Sequence, residues 1–225
     1  MTHRFERTWR AICDLHSEPE FGTAREKAHR INQATLEDQV HAKRQLLFVQ
    51  GGCKGTHDEW DSKLVDSLRR ELGEEYEIHY PRMPGEDNPS YATWKAELER
   101  TFETLRDDAI LVGHSLGATI LLKVLSEQSP SRKFAAIFAI AAPFVGHGGW
   151  RADDLEFPSD LGASLPPDVP IHFYHGLEDE TAPPSHLDLY ASAVPRARVH
   201  RLPGRDHQLN DDLREVAAAI LSLET

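Results

Sequence analysis

The sequence predicts an α/β protein, an open and mostly parallel sheet of six strands doubly wound with helices on both faces. Two observations carry that expectation. From residue 45 onward, short apolar runs alternate with amphipathic stretches of helical period, and regular strand–helix alternation means parallel strands joined by right-handed crossovers. The chain has 225 residues, a length that α/β folds often reach as one domain.

The elements follow in order. Leu46-Leu47-Phe48-Val49 reads as a buried strand. Trp60 to Leu72 reads as a helix closed by Gly73, since glycine accepts the left-handed backbone that ends helices. Tyr76 to Tyr80 is the next strand, stopped by Pro81, and Tyr91 to Leu105 the next helix. Ala109 to Val112 is a central strand that turns sharply into a helix from Leu116 to Glu127. Phe134 to Ala142 and Ile171 to Tyr174 are strands, separated by an excursion over 143–169 rich in Gly, Pro and Asp. Pro184 to Ala193 is a helix, Ala197 to Leu202 a strand and Asp211 to Leu223 a final helix.

Residues 1–43 differ from the rest, being polar and charged with helical spacing. Phe5, Trp9 and Ile12 share one helical face, and a second helical stretch runs from about Thr23 to Ala42. The segment is expected to be a helical extension of a catalytic domain over 44–225. The sharper alternative is a lid or an arm for homodimerisation.

Composition narrows the function classes. The formal net charge of −12 repels phosphate backbones and anionic lipid, so neither nucleic acid nor membrane is an expected partner. No apolar run approaches the roughly 18 residues of a membrane span. The N-terminus lacks the apolar core of a secretory signal. Two cysteines, Cys13 and Cys53, make no disulfide framework, and a reducing cytoplasm is the expected compartment.

The most informative residues are Gly113-His114-Ser115-Leu116-Gly117. This is G-x-S-x-G between a strand and a helix. There a serine on a strained, tight turn projects its hydroxyl from the sheet's carboxyl edge, and crowding two residues to either side favours glycine. The following helix points its N-terminus at the site, which favours developing negative charge. These residues resemble the α/β-hydrolase superfamily over roughly Gln45 to the C-terminus. The chain is similar, more narrowly, to small and nearly capless serine hydrolases related to the retinoblastoma-binding serine hydrolases, through Trp60 and Met83-Pro84.

The resemblance implies Ser115 as nucleophile, followed in chain order by an acid and a histidine. A serine hydroxyl needs a histidine to take its proton and a carboxylate to hold that histidine's tautomer. His175-Gly176-Leu177-Glu178-Asp179 resembles the family's H-G-x-x-D segment, which puts Asp179 in the acid's place with Glu178 and Glu180 as competitors. His207, after the last strand, stands where the family has its base. His114 and His175 are expected to be structural. The oxyanion hole is implied at the backbone N–H of Leu116 and at the loop Gln50-Gly51-Gly52-Cys53-Lys54-Gly55, where Gln50 replaces the usual histidine. By register Gly52 is the donor there, with Cys53 the close alternative.

Trp60, Phe144 and Trp150 are expected as apolar pocket walls. Glycines and prolines interrupt every candidate helix in 143–169, so no lid is expected. Neither H-E-x-x-H nor paired-cysteine spacing occurs, and no metal or other cofactor is expected. The function implied is hydrolysis of a small carboxylic ester through an acyl-enzyme. Thioesterase, amidase or peptidase activity by the same route is the alternative among enzymes, and a non-catalytic receptor on this fold the alternative outside them.

Overall fold

In a computed structural model the chain divides into two units, Met1–Ala42 and Lys43–Thr225. The structure describes residues 42–127 and 131–224. The helical readings for residues 1–41, with their lid and dimer alternatives, lie outside the described residues.

Six strands form one sheet: β1 (Arg44–Val49), β2 (Tyr76–His79), β3 (Ala109–His114), β4 (Phe134–Ile140), β5 (Ile171–Gly176) and β6 (Arg198–Leu202). Their order is β2-β1-β3-β4-β5-β6, and every neighbouring pair is parallel. The helices are α1 (Asp61–Leu72), α2 (Tyr91–Thr104), α3 (Ser115–Glu127), α4 (Leu161–Ser164), α5 (His186–Ala193) and α6 (Arg214–Leu221). Among the described residues no helix is long and apolar enough to cross a membrane.

Side chains alternate across the sheet, and the two faces carry separate cores. Leu47, Val49, Leu111 and Ile137 meet Trp94, Leu98 and Phe102 of α2, the apolar side of α3, and Leu187 and Tyr190 of α5. Leu46, Phe48, Val112 and Phe138 meet Leu64, Val65 and Leu68 of α1 and Val216 and Ile220 of α6. Burial on both faces explains why the central strands are apolar at nearly every position. The chain leaves β1 for β2 on one side and returns to β3 on the other. That reversal opens a crevice at the carboxyl ends of β1 and β3, the place where open α/β sheets bind ligands.

Some boundaries differ from expectation, each for a backbone reason. β3 continues through Gly113 and His114 and runs directly into α3 at Ser115. β4 stops at Ile140 because Ala141 has a left-handed φ of 49°. Thr56–Trp60 wind as one wide π turn, so α1 starts at Asp61 rather than Trp60. Leu209, Asn210 and Asp211 all have positive φ; no right-handed helix passes through them, and the last helix starts at Arg214.

His172 on β5 is buried, with Phe138 4.7 Å and His200 5.5 Å away between ring centroids, and its Nε2 has no hydrogen-bond partner. Burial, helped by the positive charge of His200 and Arg198, pushes its pKa from 6.5 down to about 4. Between those two values the unfolded chain binds a proton that the folded chain refuses, so stability falls as pH drops through that window. His172→Phe is expected to flatten this part of the stability–pH curve, read from urea midpoints at successive pH values. A slope equal to wild type would refute the assignment.

Candidate active site

Three segments converge at the crevice. The first is the junction of β3 and α3. Ser115 has a left-handed φ of 51°, a conformation that costs a non-glycine residue energy and persists only where surrounding packing imposes it. The flanking glycines are required by close approach. A Cβ on Gly113 would lie 2.6 Å from Ala118 Cα, and one on Gly117 would lie 2.0 Å from the Gln50 carbonyl oxygen and 2.7 Å from that of Val49. Gly117 thereby lets α3 press against the end of β1.

The second segment follows β6. His207 Nε2 lies 3.0 Å from Ser115 Oγ, and its Nδ1 lies 2.7 Å from Asp179 Oδ2. The loop is held by Arg205, whose guanidinium donates to the Leu209 carbonyl (2.9 Å) and to Glu215 (2.7 Å). Asn210 donates through its side chain to the Gly204 carbonyl (2.9 Å).

The third follows β5. A Cβ on Gly176 would lie 2.1 Å from the Arg205 carbonyl oxygen, so the end of β5 rests directly on the loop that carries His207. Asp179 is buried, whereas Glu178 and Glu180 are exposed. Its Oδ1 accepts the N–H groups of Thr181 and Ala182, each at 2.8 Å. His175 Nε2 lies 3.0 Å from Asp179 Oδ2 and 2.9 Å from the Ala182 carbonyl. Burial alone would raise the Asp179 pKa. The bonds to His175 and His207, the charge of His207 and the Ala182 N–H together outweigh it, and hold the carboxyl well below the usual range.

The loop after β1 closes the crevice. Gly51 N–H donates to Asp61 Oδ2 (2.7 Å), and Cys53 N–H donates to the Glu86 carbonyl (2.7 Å). Between these committed groups, Gly52 faces Leu116: a Cβ added to Gly52 would meet Leu116 Cδ2 at 2.6 Å. Of the two candidate donors in this loop, Cys53 is thus occupied. Leu116 N–H lies in the first turn of α3, where N–H groups have no intrahelical acceptor. Gln50 braces this loop through its side-chain amide. Its Oε1 accepts Met83 N–H (3.0 Å) and its Nε2 donates to Glu86 Oε2 (2.6 Å). Glu86 also accepts the N–H groups of Gly55 (3.2 Å) and His57 (3.1 Å).

The expected pocket walls are not equivalent. Phe144 corrects one of them: it is turned into the core against Phe157 and Tyr190, and its N–H donates to His186 Nδ1 (2.9 Å). Trp60 and Trp150 are nearly half exposed. Trp60 stacks under Lys63. Trp150 meets His186 edge-on and stands on the wall of a cavity of about 540 Å³ lined by residues 145–153 and Glu156. Cys53 is exposed and free. Among the described residues no three His, Cys, Asp or Glu side chains group as a metal site.

Sequence reading missed Asp61, Glu86 and the bonding of His114. Asp61 had a readable signal: it lies three and seven residues before Leu64 and Leu68, on the buried stripe of its helix.

A profile of the alpha/beta hydrolase family matches residues 46–221. No curated protein sequence matches the chain. Solved structures resemble it at low identity. The esterase domain of a Rhodothermus marinus protein is 22% identical, with 81% of this chain and 86% of that one covered and a TM-score of 0.55. The ydeN gene product of B. subtilis is 17% identical, with 81% and 99% covered and a TM-score of 0.64. A serine hydrolase without a lid from Xanthomonas campestris is 19% identical, with 80% and 79% covered and a TM-score of 0.55. The narrower likeness to retinoblastoma-binding hydrolases rests on the short segments around Trp60 and Met83-Pro84 alone.

The close approach of α3 to β1 is open to a simple test. Gly117→Ala is expected to destabilise the protein by about 1–3 kcal/mol, because the methyl group can be seated only by moving backbone. A urea midpoint equal to wild type would show that this contact is not tight.

Proposed function

This chain belongs to the alpha/beta hydrolase family, and we propose that it is a serine hydrolase that cleaves a small carboxylic ester through an acyl-enzyme. The observation that carries the reading is the continuous hydrogen-bonded chain Ser115 Oγ–His207–Asp179, beside the uncommitted N–H groups of Gly52 and Leu116.

The chemistry follows from that chain. Asp179 accepts from His207 Nδ1–H, which leaves Nε2 unprotonated and able to take the Ser115 proton. Ser115 Oγ then attacks the substrate carbonyl carbon. The carbonyl oxygen becomes an oxyanion, received by the N–H groups of Gly52 and Leu116, whose positions are set before the reaction begins. The protonated His207 gives its proton to the leaving alcohol, whose bond to the acyl carbon breaks. Water enters, loses a proton to the same Nε2 and attacks the acyl carbon; the bond from that carbon to Ser115 Oγ breaks, His207 returns the proton to Oγ, and the acid leaves. The esterase domain among the similar structures supports the choice of an ester.

A fluorophosphonate probe tests the nucleophile directly. Ser115→Ala is expected to abolish labelling while the protein stays folded. Asp179→Asn is expected to cut kcat by about 10⁴-fold, with Glu178→Gln and Glu180→Gln mild. Wild-type labelling of Ser115→Ala would overturn the reading.

Substrate size forms a second expectation. Between β4 and β5 the chain carries only the four-residue α4, whose Leu161 is buried, so this segment presents no amphipathic lid helix. A long acyl chain would then leave its methylenes in water and forgo the roughly 0.8 kcal/mol available per buried CH₂. Across p-nitrophenyl esters from acetate to palmitate, kcat/KM is expected to peak at short chains. A peak at palmitate, with a jump in rate once the substrate forms micelles, would contradict this.

A further inference from the structure

His114 and Asp61 are both completely shielded from solvent, and neither has a part in the chemistry above. His114 Nδ1 lies 2.9 and 3.1 Å from the two oxygens of Asp61. Its Nε2 lies 3.0 Å from the backbone carbonyl oxygen of His207. Asp61 Oδ2 also accepts Gly51 N–H at 2.7 Å. One side-chain pair thus reaches the residue before Ser115, the residue before Gly52 and the backbone of His207.

Resting on the proposed serine-hydrolase reading, we propose that Asp61 and His114 form a buried ion pair that positions the loop of Gly52 and the backbone of His207 about Ser115. Both are positioning residues. Neither side chain hydrogen-bonds Ser115 Oγ or the His207 ring; His114 bonds the His207 backbone and its ring packs against the His207 ring, 5.0 Å between centroids.

The charge follows from the partners. Both ring nitrogens of His114 face groups that only accept, a carboxylate and a carbonyl. A neutral imidazole has one N–H, whereas an imidazolium has two and satisfies both. Burial opposes that charge, but the Asp61 carboxylate and the bonds to Asp61 and His207 outweigh it, and the pKa of His114 is raised. A buried ion pair is a poor way to gain stability, since desolvation offsets most of the attraction; fixing one arrangement against others is its best-attested use. Here three chain segments distant in sequence must agree in position, and this pair is bonded to each of them.

Two measurements on the full chain test the proposal. The first is a long-range ¹H–¹⁵N NMR spectrum of the histidine-labelled protein at neutral pH, with His114 assigned by its loss in His114→Gln. Both His114 nitrogens are expected to be protonated; one unprotonated nitrogen overturns the ion pair. The protonation state is read on the unaltered protein, and the variant serves only to assign the His114 signals.

The second is turnover of p-nitrophenyl acetate by Asp61→Asn and His114→Gln. Asp61→Asn keeps the shape and an acceptor for Gly51 but removes the charge. In folded variants kcat is expected to fall by about 10²-fold for His114→Gln and by about 10-fold for Asp61→Asn, with KM within about twofold of wild type. Unchanged kcat, or a rise in KM alone, overturns the positioning role. Ser115→Ala is measured beside them. If it is inactive while both variants match wild type, only the positioning role fails; if it turns over normally, the serine-hydrolase reading fails.

Discussion

The distance between the first turn of α3 and the end of β1 governs the rest of the site. α3 begins with Ser115 in a left-handed conformation, and Gly117 brings the helix against the carbonyl groups of Val49 and Gln50. That approach sets Leu116 beside Gly52 and directs Ser115 toward the loop of His207. A methyl group at residue 117 would hold the first turn of α3 away from the end of β1.

The loops at this end of the sheet are held by carboxylates in place of secondary structure. Backbone N–H groups withdrawn from water need acceptors, and Glu86, Asp61 and Asp179 supply several of them. Glu86 accepts from Gly55 and His57, Asp61 from Gly51, and Asp179 from Thr181 and Ala182. For Asp179 and Glu86 these bonds also hold the pKa down. Each such group is therefore both a scaffold and a fixed negative charge. In Asp179 the two roles meet, because the oxygen not engaged by the loop faces His207.

The sheet was legible from sequence because its signals are local. A strand buried on both faces must be apolar along its length, and a helix lying on it must be apolar on one stripe. Both patterns are visible without knowing the partner, as in Leu46 to Val49 and in Leu64, Val65 and Leu68. Two of the boundaries that shifted did so at positive-φ residues, Ala141 and Asn210, whose conformations are imposed by neighbours and leave no pattern in a non-glycine sequence. Phe144 shows the same limit. An aromatic residue in a Gly-rich loop reads equally as a pocket wall or a core residue, and the packing of Phe157 and Tyr190, distant in sequence, is what draws it inward.

By itself, the sequence determined the order of elements, the strained serine between its two glycines and the short list of partners for it, since spacing along one strand–turn–helix is a property of contiguous residues. Tertiary structure alone decided which members of that list meet. Asp179 is buried where Glu178 and Glu180 are exposed, and the Cys53 N–H is committed to Glu86. Asp61 and His114 become a pair only when α1 and β3 pack side by side. The physical reason is common to all of these. Hydrogen bonds between residues 28, 53 and 92 positions apart depend on where the fold brings their carriers, and composition or periodicity on either side carries no record of the partner.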